Sequence, residues 1–205
     1  MKSPASFTLE KKLWCAGLKK VAGLDEVGRG AWAGPVVAAA VVFPPYFEAD
    51  FELFDSKLLN PDERENLSAG IYNVASVGIG LVGVPTINKI GIGKATQKAF
   101  RKAIRSLEFP CDYYLIDAFY IRHWTRQNQL PIKKGDRICA SIAAASIVAK
   151  VYRDKLMKEL AGKYPQFGFD LHKGYGTLIH QEAISKYKLS GIHRKSFNLK
   201  FLTLC

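Results

Sequence analysis

Residues 21–42, VAGLDEVGRGAWAGPVVAAAVV, decide the fold. An apolar start (Val21, Ala22, Leu24) runs into Asp25 and Glu26, then Gly28, Gly30 and Gly34, and after Pro35 an unbroken apolar run resumes as far as Val42. That order reads as strand, glycine-rich turn, strand, with two acids where the first strand ends. Adjacent residues of a regular strand point to opposite faces. Asp25 and Glu26 can therefore share a ligand only if the strand ends or twists there, which Gly28 and Gly30 permit. Residues 113–116 form a second short apolar strand that stops at Asp117. A sheet pairing the two strands would gather three acids at one edge. Such hard oxygen donors suit Mg²⁺ or Mn²⁺ rather than zinc, which prefers nitrogen and sulfur. The rival reading of Asp25 and Glu26, a surface pair in a turn, is the commoner outcome of such spacing taken alone.

Working outward, Asn60, Pro61 and the acids Asp62, Glu63 and Glu65 signal a helix start, with Gly70 near its stop. Residues 74–84 read as a strand. Residues 92–107 read as a helix with Phe100, Ala103, Ile104 and Leu107 on one side and Lys94, Lys98, Arg101 and Arg105 on another. That basic stripe is either a phosphate track or a solvated face. A looser segment runs from Asp117 to Leu130. The longest helix is expected after Gly135 and Asp136, with Ile138, Ile142, Ala145, Ala149, Tyr152, Leu156 and Leu160 as its apolar stripe and Gly162 and Pro165 ending it. A glycine-rich loop at 172–177, a short helix over 181–187 and a basic tail containing His193, Arg194 and Lys195 follow. Strands early and alternation later indicate an α/β domain with a mixed sheet.

Composition sets the partner class. With 205 residues, 48% hydrophobic content and 23% charged, the chain builds a core and is not disordered. Thirty Lys and Arg against eighteen Asp and Glu give a net charge of +12, which favours a polyanion such as nucleic acid. The acids concentrate over 48–65, so the positive excess falls on 89–105, 122–137 and 173–200. Prolines and glycines interrupt the uncharged stretches 31–47 and 66–88, so neither is expected to span a membrane. No secretory signal is visible at the N-terminus, so a cytoplasmic protein is expected. Cys15, Cys111, Cys139 and Cys205 are scattered and read as free thiols. Gly78, Gly80 and Gly83 match dinucleotide-binding spacing, but Pro85 stands where the phosphate-binding helix should open; Gly28, Gly30 and Ala33 fail likewise before a strand. Gly93-Lys94 lacks the earlier glycine and the Ser or Thr of a phosphate-binding loop. Taken alone, Asp136 reads as a helix N-cap, Asp154 as a solvated or ion-paired acid, and Tyr175 as a packed loop aromatic. His172, His180 and His193 have neither triad nor metal spacing.

The blocks Asp25-Glu26-Val27-Gly28-Arg29-Gly30, Asp55-Ser56-Lys57, Leu115-Ile116-Asp117, Lys134-Gly135-Asp136, the run 141–154, His172-Lys173-Gly174-Tyr175-Gly176-Thr177 and Ile192-His193-Arg194 stand in an order that resembles bacterial ribonuclease HII. The resemblance implies an RNase H-like fold: a mixed five-stranded sheet flanked by helices, with a small helical C-terminal extension. The divisions expected are an N-terminal extension over 1–20, a catalytic domain over 21–162 and an extension over 163–205 that completes the substrate site. It also implies that Asp25, Glu26, Asp117 and Asp136 are catalytic carboxylates holding two Mn²⁺ or Mg²⁺ ions, with Asp154 a second-tier candidate. Gly28, Arg29 and Gly30 fall on a turn expected to hold the RNA-to-DNA junction, Tyr175 on a tyrosine standing against the ribose 2′-hydroxyl, and Ser56 and Lys57 on a pair near the substrate backbone.

The implied activity is hydrolysis of the RNA strand of RNA/DNA hybrids and incision 5′ to single ribonucleotides in duplex DNA, leaving 3′-hydroxyl and 5′-phosphate ends. The competing class is a catalytically inactive nucleic-acid-binding module, which would not need all four acids. A monomer without membrane association is expected. The extra N-terminal domain of the related ribonuclease HIII has no room in the 24 residues before Asp25. Residues 119–124 are bulkier and more aromatic than the family pattern, and residues 197–205 do not read as a sliding-clamp-binding peptide.

Overall fold

The computed structural model describes residues 4–197 and 199. Cys205 and most of the tail weighed for clamp binding lie outside the described residues. Strands β1 (Val21–Val27), β2 (Val36–Val42), β3 (Ser76–Val82), β4 (Tyr113–Asp117) and β5 (Gln129–Ile132) form one mixed sheet in the order β3-β2-β1-β4-β5. β1 pairs antiparallel with β2, and β2 antiparallel with β3. β4 runs parallel to both β1 and β5. In that register Leu24 lies opposite Ile116, so Asp25 and Asp117, the next residue of each strand, finish side by side.

Among the described residues, six helices surround the sheet: α1 (Thr8–Cys15), α2 (Pro61–Val74), α3 (Val84–Arg105), α4 (Ala140–Lys163), α5 (Phe169–His172) and α6 (Leu178–Tyr187). The two-residue period of β2 divides its side chains between two cores. Val37, Ala39 and Val41 pack with Ile142, Ala145 and Ile147 of α4, while Ala38 and Ala40 pack with Ala99, Phe100 and Ala103 of α3. Covered on both faces, β2 is buried throughout, which is why its sequence is a continuous apolar run without alternation. Each large apolar side chain so buried contributes roughly 1.5–3 kcal/mol.

Glycines set how closely the layers approach. A Cβ at Gly80 would sit 2.0 Å from the Ala99 carbonyl oxygen, and one at Gly78 would sit 2.2 Å from that of Ala103. The glycine spacing that mimics a dinucleotide fingerprint thus lets α3 lie directly on β3. Gly80→Ala would force the two apart. Gly23 does the same for α4, its missing Cβ falling 2.1 Å from the Ser141 carbonyl carbon.

Several local expectations are corrected. α3 begins at Val84, and Gly91 (φ 78) breaks it, so the apolar period marks only its second part. α2 runs through Gly70 to Val74, stabilised by the reciprocal capping of Asn60 and Glu63. Cys139, not Asp136, is the N-cap of α4, and Asp136 lies in a preceding 3-10 turn. The expected α4 stripe drifts out of phase: Ile138 (49%) and Tyr152 (42%) are exposed, whereas Arg153 and Met157 are buried. α1 is integral, because buried Glu10 accepts the Ser141 amide at 2.7 Å and Trp14 joins the core. No described helix is long and apolar enough to cross a membrane.

Candidate active site

Three elements bring the four predicted acids to one edge of the sheet: Asp25 and Glu26 near the end of β1, Asp117 at the end of β4, and Asp136 in the 3-10 turn Gly135–Arg137. Asp117 ties two of these together, its Oδ1 accepting the Gly135 amide at 2.8 Å. Asp25 is buried beneath α4, where its Oδ1 accepts the Glu26 amide at 2.7 Å and its carboxyl is hydrogen-bonded to the Ser146 hydroxyl. Glu26 leaves the opposite face of β1; one oxygen takes Arg29 Nη1 at 3.3 Å, and the other, Oε2, is buried without a partner.

These groups are mutually unfavourable when all are ionised. Burial, then the charges of Glu26 and Asp117, push Asp25 well above the ordinary carboxylate range. Burial also raises Glu26 against the Arg29 charge. Asp117 is raised by burial and by the charges of Asp136 and Asp55, against the Gly135 amide and Lys57.

Among the described residues, no three acids, histidines or cysteines already converge as a metal cage. The donor chemistry nevertheless fits a hard divalent cation. All four groups are carboxylates, three are raised by burial first and neighbouring carboxylates second, and an orphaned oxygen lies among them. Asp25, Glu26, Asp117 and Asp136 are the residues that could hold it.

Lys57 lies alongside. Its Nζ is 3.4 Å from Asp136 Oδ2 and 3.8 Å from Asp55 Oδ1. Burial works to lower its ammonium, but Asp55, Asp136 and Asp25 together outweigh that and hold it above the ordinary lysine value. Of the expected Ser56–Lys57 pair, only Lys57 reaches the surface. Ser56 is buried with its hydroxyl 2.9 Å from that of Ser146, making a relay Ser56–Ser146–Asp25. Asp55 anchors the segment through Arg137 at 3.1 Å and the Lys57 amide at 3.0 Å. Sequence reasoning missed Ser146, which sits in an alanine-rich helical run with no signal of its own.

The turn after β1 is held from behind by two fully buried arginines. Arg153 donates to the Pro35 and Ala33 carbonyls at 3.0 and 3.2 Å, and Arg194 donates to those of Gly34 and Arg29 at 3.0 and 2.9 Å. Neither has a carboxylate partner among the described residues, and Arg153 Nη1 and Arg194 Nη2 are unpaired. Burial, reinforced by Arg153, lowers Arg194 to about 9. Gly28 is required twice over: its φ is 87°, and a Cβ would meet Arg153 Nε at 2.2 Å. Gly30 faces open space, so the fold itself does not demand a glycine there.

The loop 172–177 docks on this turn. Gly174 accepts the amides of Trp32 and Ala33 at 2.8 and 3.2 Å, and a Cβ at Gly176 would strike the Trp32 ring at 2.3 Å. Tyr175 is thereby placed with its ring 5.4 Å from the Arg153 guanidinium. Beneath it the three histidines that lacked any sequence pattern form a stack, His172 on His180 at 4.4 Å between ring centroids. His193 Nδ1 accepts the Ser190 amide, so its Nε2 donates to His180 Nε2 at 3.0 Å, and His180 Nδ1 donates to the Tyr175 carbonyl at 2.9 Å. Burial lowers both His180 and His193 to about 4. Asp154 is ion-paired with Lys150 at 2.9 Å.

The chain is similar to proteins of one family. The family profile "Ribonuclease HII" matches residues 22–200. A ribonuclease HII from Geobacillus kaustophilus (strain HTA426) is 47% identical over 191 residues, covering 92% of this chain and 72% of that one. The ribonuclease H2 of Pyrococcus horikoshii OT3 shares the fold at a TM-score of 0.74 and 24% identity, over 89% of this chain and 96% of that one. Bst-RNase HIII, solved in complex with Mn²⁺, shares it at a TM-score of 0.65 and 19% identity, over 90% of this chain and 64% of that one. With a profile match over nearly all of its length and close curated relatives, the chain belongs to the ribonuclease HII family, metal-dependent endoribonucleases acting on RNA/DNA hybrids.

Proposed function

We propose that this protein cuts 5′ to single ribonucleotides embedded in duplex DNA as well as within the RNA strand of hybrids, leaving 3′-hydroxyl and 5′-phosphate ends. The observation that carries this reading is the set of four carboxylates on one sheet edge, two of them raised by burial and by the charge of neighbouring acids, beside a turn whose Gly30 faces open space. Asp25, Glu26, Asp117 and Asp136 are assigned to hold divalent metal. Two Mg²⁺ or Mn²⁺ ions there would supply a water nucleophile at neutral pH and stabilise charge on the leaving oxygen.

The remaining roles belong to the chain itself. Among the described residues the Arg29 and Gly30 amides meet no protein acceptor, while buried arginines occupy the carbonyls behind them. That polarity supports a backbone phosphate site at the junction. The Tyr175 hydroxyl is assigned to the ribose 2′-oxygen, the one group that separates RNA from DNA. Lys57 is assigned to a substrate phosphate, and Ser56 acts through Ser146 on Asp25. We further infer a monomeric enzyme and, with support from the free thiols of Cys15, Cys111 and Cys139, a cytoplasmic one.

One gel assay tests the assignment: an end-labelled DNA duplex with one embedded ribonucleotide, incubated with Mg²⁺, Mn²⁺ or chelator. A single cut on the 5′ side, absent in chelator and in the all-DNA duplex, is expected. Cutting of a long hybrid without cutting of the single-ribonucleotide duplex would sink the embedded-ribonucleotide specificity.

A further inference from the structure

An open groove of about 1170 Å³ lies between α3 and the segment 118–126, on the side of the sheet away from α4. We propose that this groove binds unpaired single-stranded nucleic acid running off the cleavage site. The proposal rests on the nuclease reading above and adds a subsite to it.

Charge complementarity comes first. Arg29, Lys94, Lys98, Arg101, Arg122 and Arg126 line the groove, and no carboxylate does. The basic stripe of α3 therefore faces an opposing basic wall, and a polyanion between them neutralises both. A solvated helix face would have no such counterpart.

Aromatic surface comes second and decides the form of the polyanion. Phe119 (38%) and Tyr120 (41%) are exposed in the lining. Each already carries a guanidinium on its face, Arg29 at 4.7 Å over Phe119 and Arg126 at 4.6 Å over Tyr120. Flat arginine–aromatic pairs of this kind are stacking platforms for bases. Paired bases inside a duplex hide their faces, so a duplex would use only the positive charge. Unpaired bases use both.

The groove is also preformed. Gln97 clamps the segment from α3, accepting the Arg122 amide at 2.7 Å and donating to the Tyr120 carbonyl at 3.1 Å. Buried Gln129 holds it from β5, accepting the Ile121 amide at 2.8 Å and donating to the Ile121 and Thr125 carbonyls. Two glutamines, each gripping backbone in both directions, fix the aromatic rim before any ligand arrives. Finally, the groove opens onto the acids: Arg29 lines it and reaches Glu26, and Ala118 follows Asp117 directly.

The test is fluorescence anisotropy in chelator, which halts cleavage, with a short blunt duplex containing one ribonucleotide and the same duplex bearing a thymidine tail on either end. One tail is expected to tighten binding by about five-fold or more. The double substitution Tyr120→Ala with Arg126→Ala should remove that gain while leaving binding and cleavage of the blunt duplex within about two-fold of the parent. Tyr120→Leu with Arg126→Gln, which preserves volume, should do the same and guards against misfolding. A tail that adds nothing to the parent, or adds as much to both variants, overturns the proposal. So does loss of affinity for a longer blunt duplex in the variants, which would make the groove a duplex track. If the parent fails to cut the blunt duplex with Mg²⁺ or Mn²⁺, the nuclease assignment falls while the tail measurement still decides the groove.

Discussion

The acidic edge and the histidine stack both gather titratable groups under the same turn, and they are built on opposite principles. In the stack every ring has a single self-consistent tautomer: His172 takes the Gly174 amide and faces the Phe167 carbonyl, and His193, His180 and the Tyr175 carbonyl form a directed chain. Nothing is left over for a ligand. At the edge, burial and then neighbouring carboxylates raise Asp25, Glu26 and Asp117, and Glu26 Oε2 is buried with no donor. A satisfied cluster holds a loop in place; a frustrated one has an unmet demand, which is the ground on which divalent cations are proposed there.

The largest consequence concerns Asp25. Asp25→Asn keeps the shape and removes a charge that burial disfavours. Cleavage should fall by at least about 10²–10³-fold, while the thermal midpoint at pH 7.5 stays level or rises. A midpoint that collapses together with activity would mean Asp25 is structural and would erase the contrast with the histidines.

The two regions should also show opposite pH linkage. His180 and His193 titrate near 4 when folded and near 6.5 when unfolded, so in that window the unfolded chain binds more protons. Their contribution is fully present above pH 6.5 and lost as pH falls toward 4. The raised Asp25 and Glu26 have the reverse sign, contributing below the unfolded carboxylate value and losing that as pH rises through their folded values. Melting curves from pH 8 to 4.5 in chelator should show His180→Phe with a lower midpoint and a shallower loss toward acid than the parent. Asp25→Asn should show a steeper loss. Equal slopes in all three would break the contrast.

How far the sequence revealed these regions depended on how local the signal was. The β1–turn–β2 reading and the Asn60 cap rest on neighbouring residues and survive in the structure. β5 escaped because four residues containing Pro131 carry no strand pattern, and an edge strand tolerates that proline. The apolar stripe of α4 failed at Ile138, which precedes the helix, and again beyond Ala149, where the helix packs on the C-terminal extension. Arg153 is buried in that stretch, and no hydropathy rule anticipates it. Asp136 looked like a cap because its residue type fits one, and only the backbone shows that Cys139 holds that position. The histidine chain spans separate segments, so no spacing rule could find it.

The smallest predicted effect separates two readings of Ser56. If its hydroxyl met the substrate, Ser56→Ala would weaken binding and raise KM. In the structure it is buried against Ser146, and Ser146 is hydrogen-bonded to Asp25. With Asp25 ionised, Ser146 donates to the carboxylate and its own oxygen accepts from Ser56, so each bond polarises the next. Removing Ser56 leaves Ser146 a weaker and less fixed donor, which disturbs the position of Asp25 without touching the groove. One neutral hydrogen bond contributes about 1 kcal/mol, so kcat should fall by about three- to ten-fold with KM unchanged. The same change should lower stability by about 1 kcal/mol. Ser56→Thr, which keeps the hydroxyl, should recover most of kcat. A rise in KM with kcat preserved would instead return Ser56 to the substrate surface and leave Asp25 dependent on Ser146 alone.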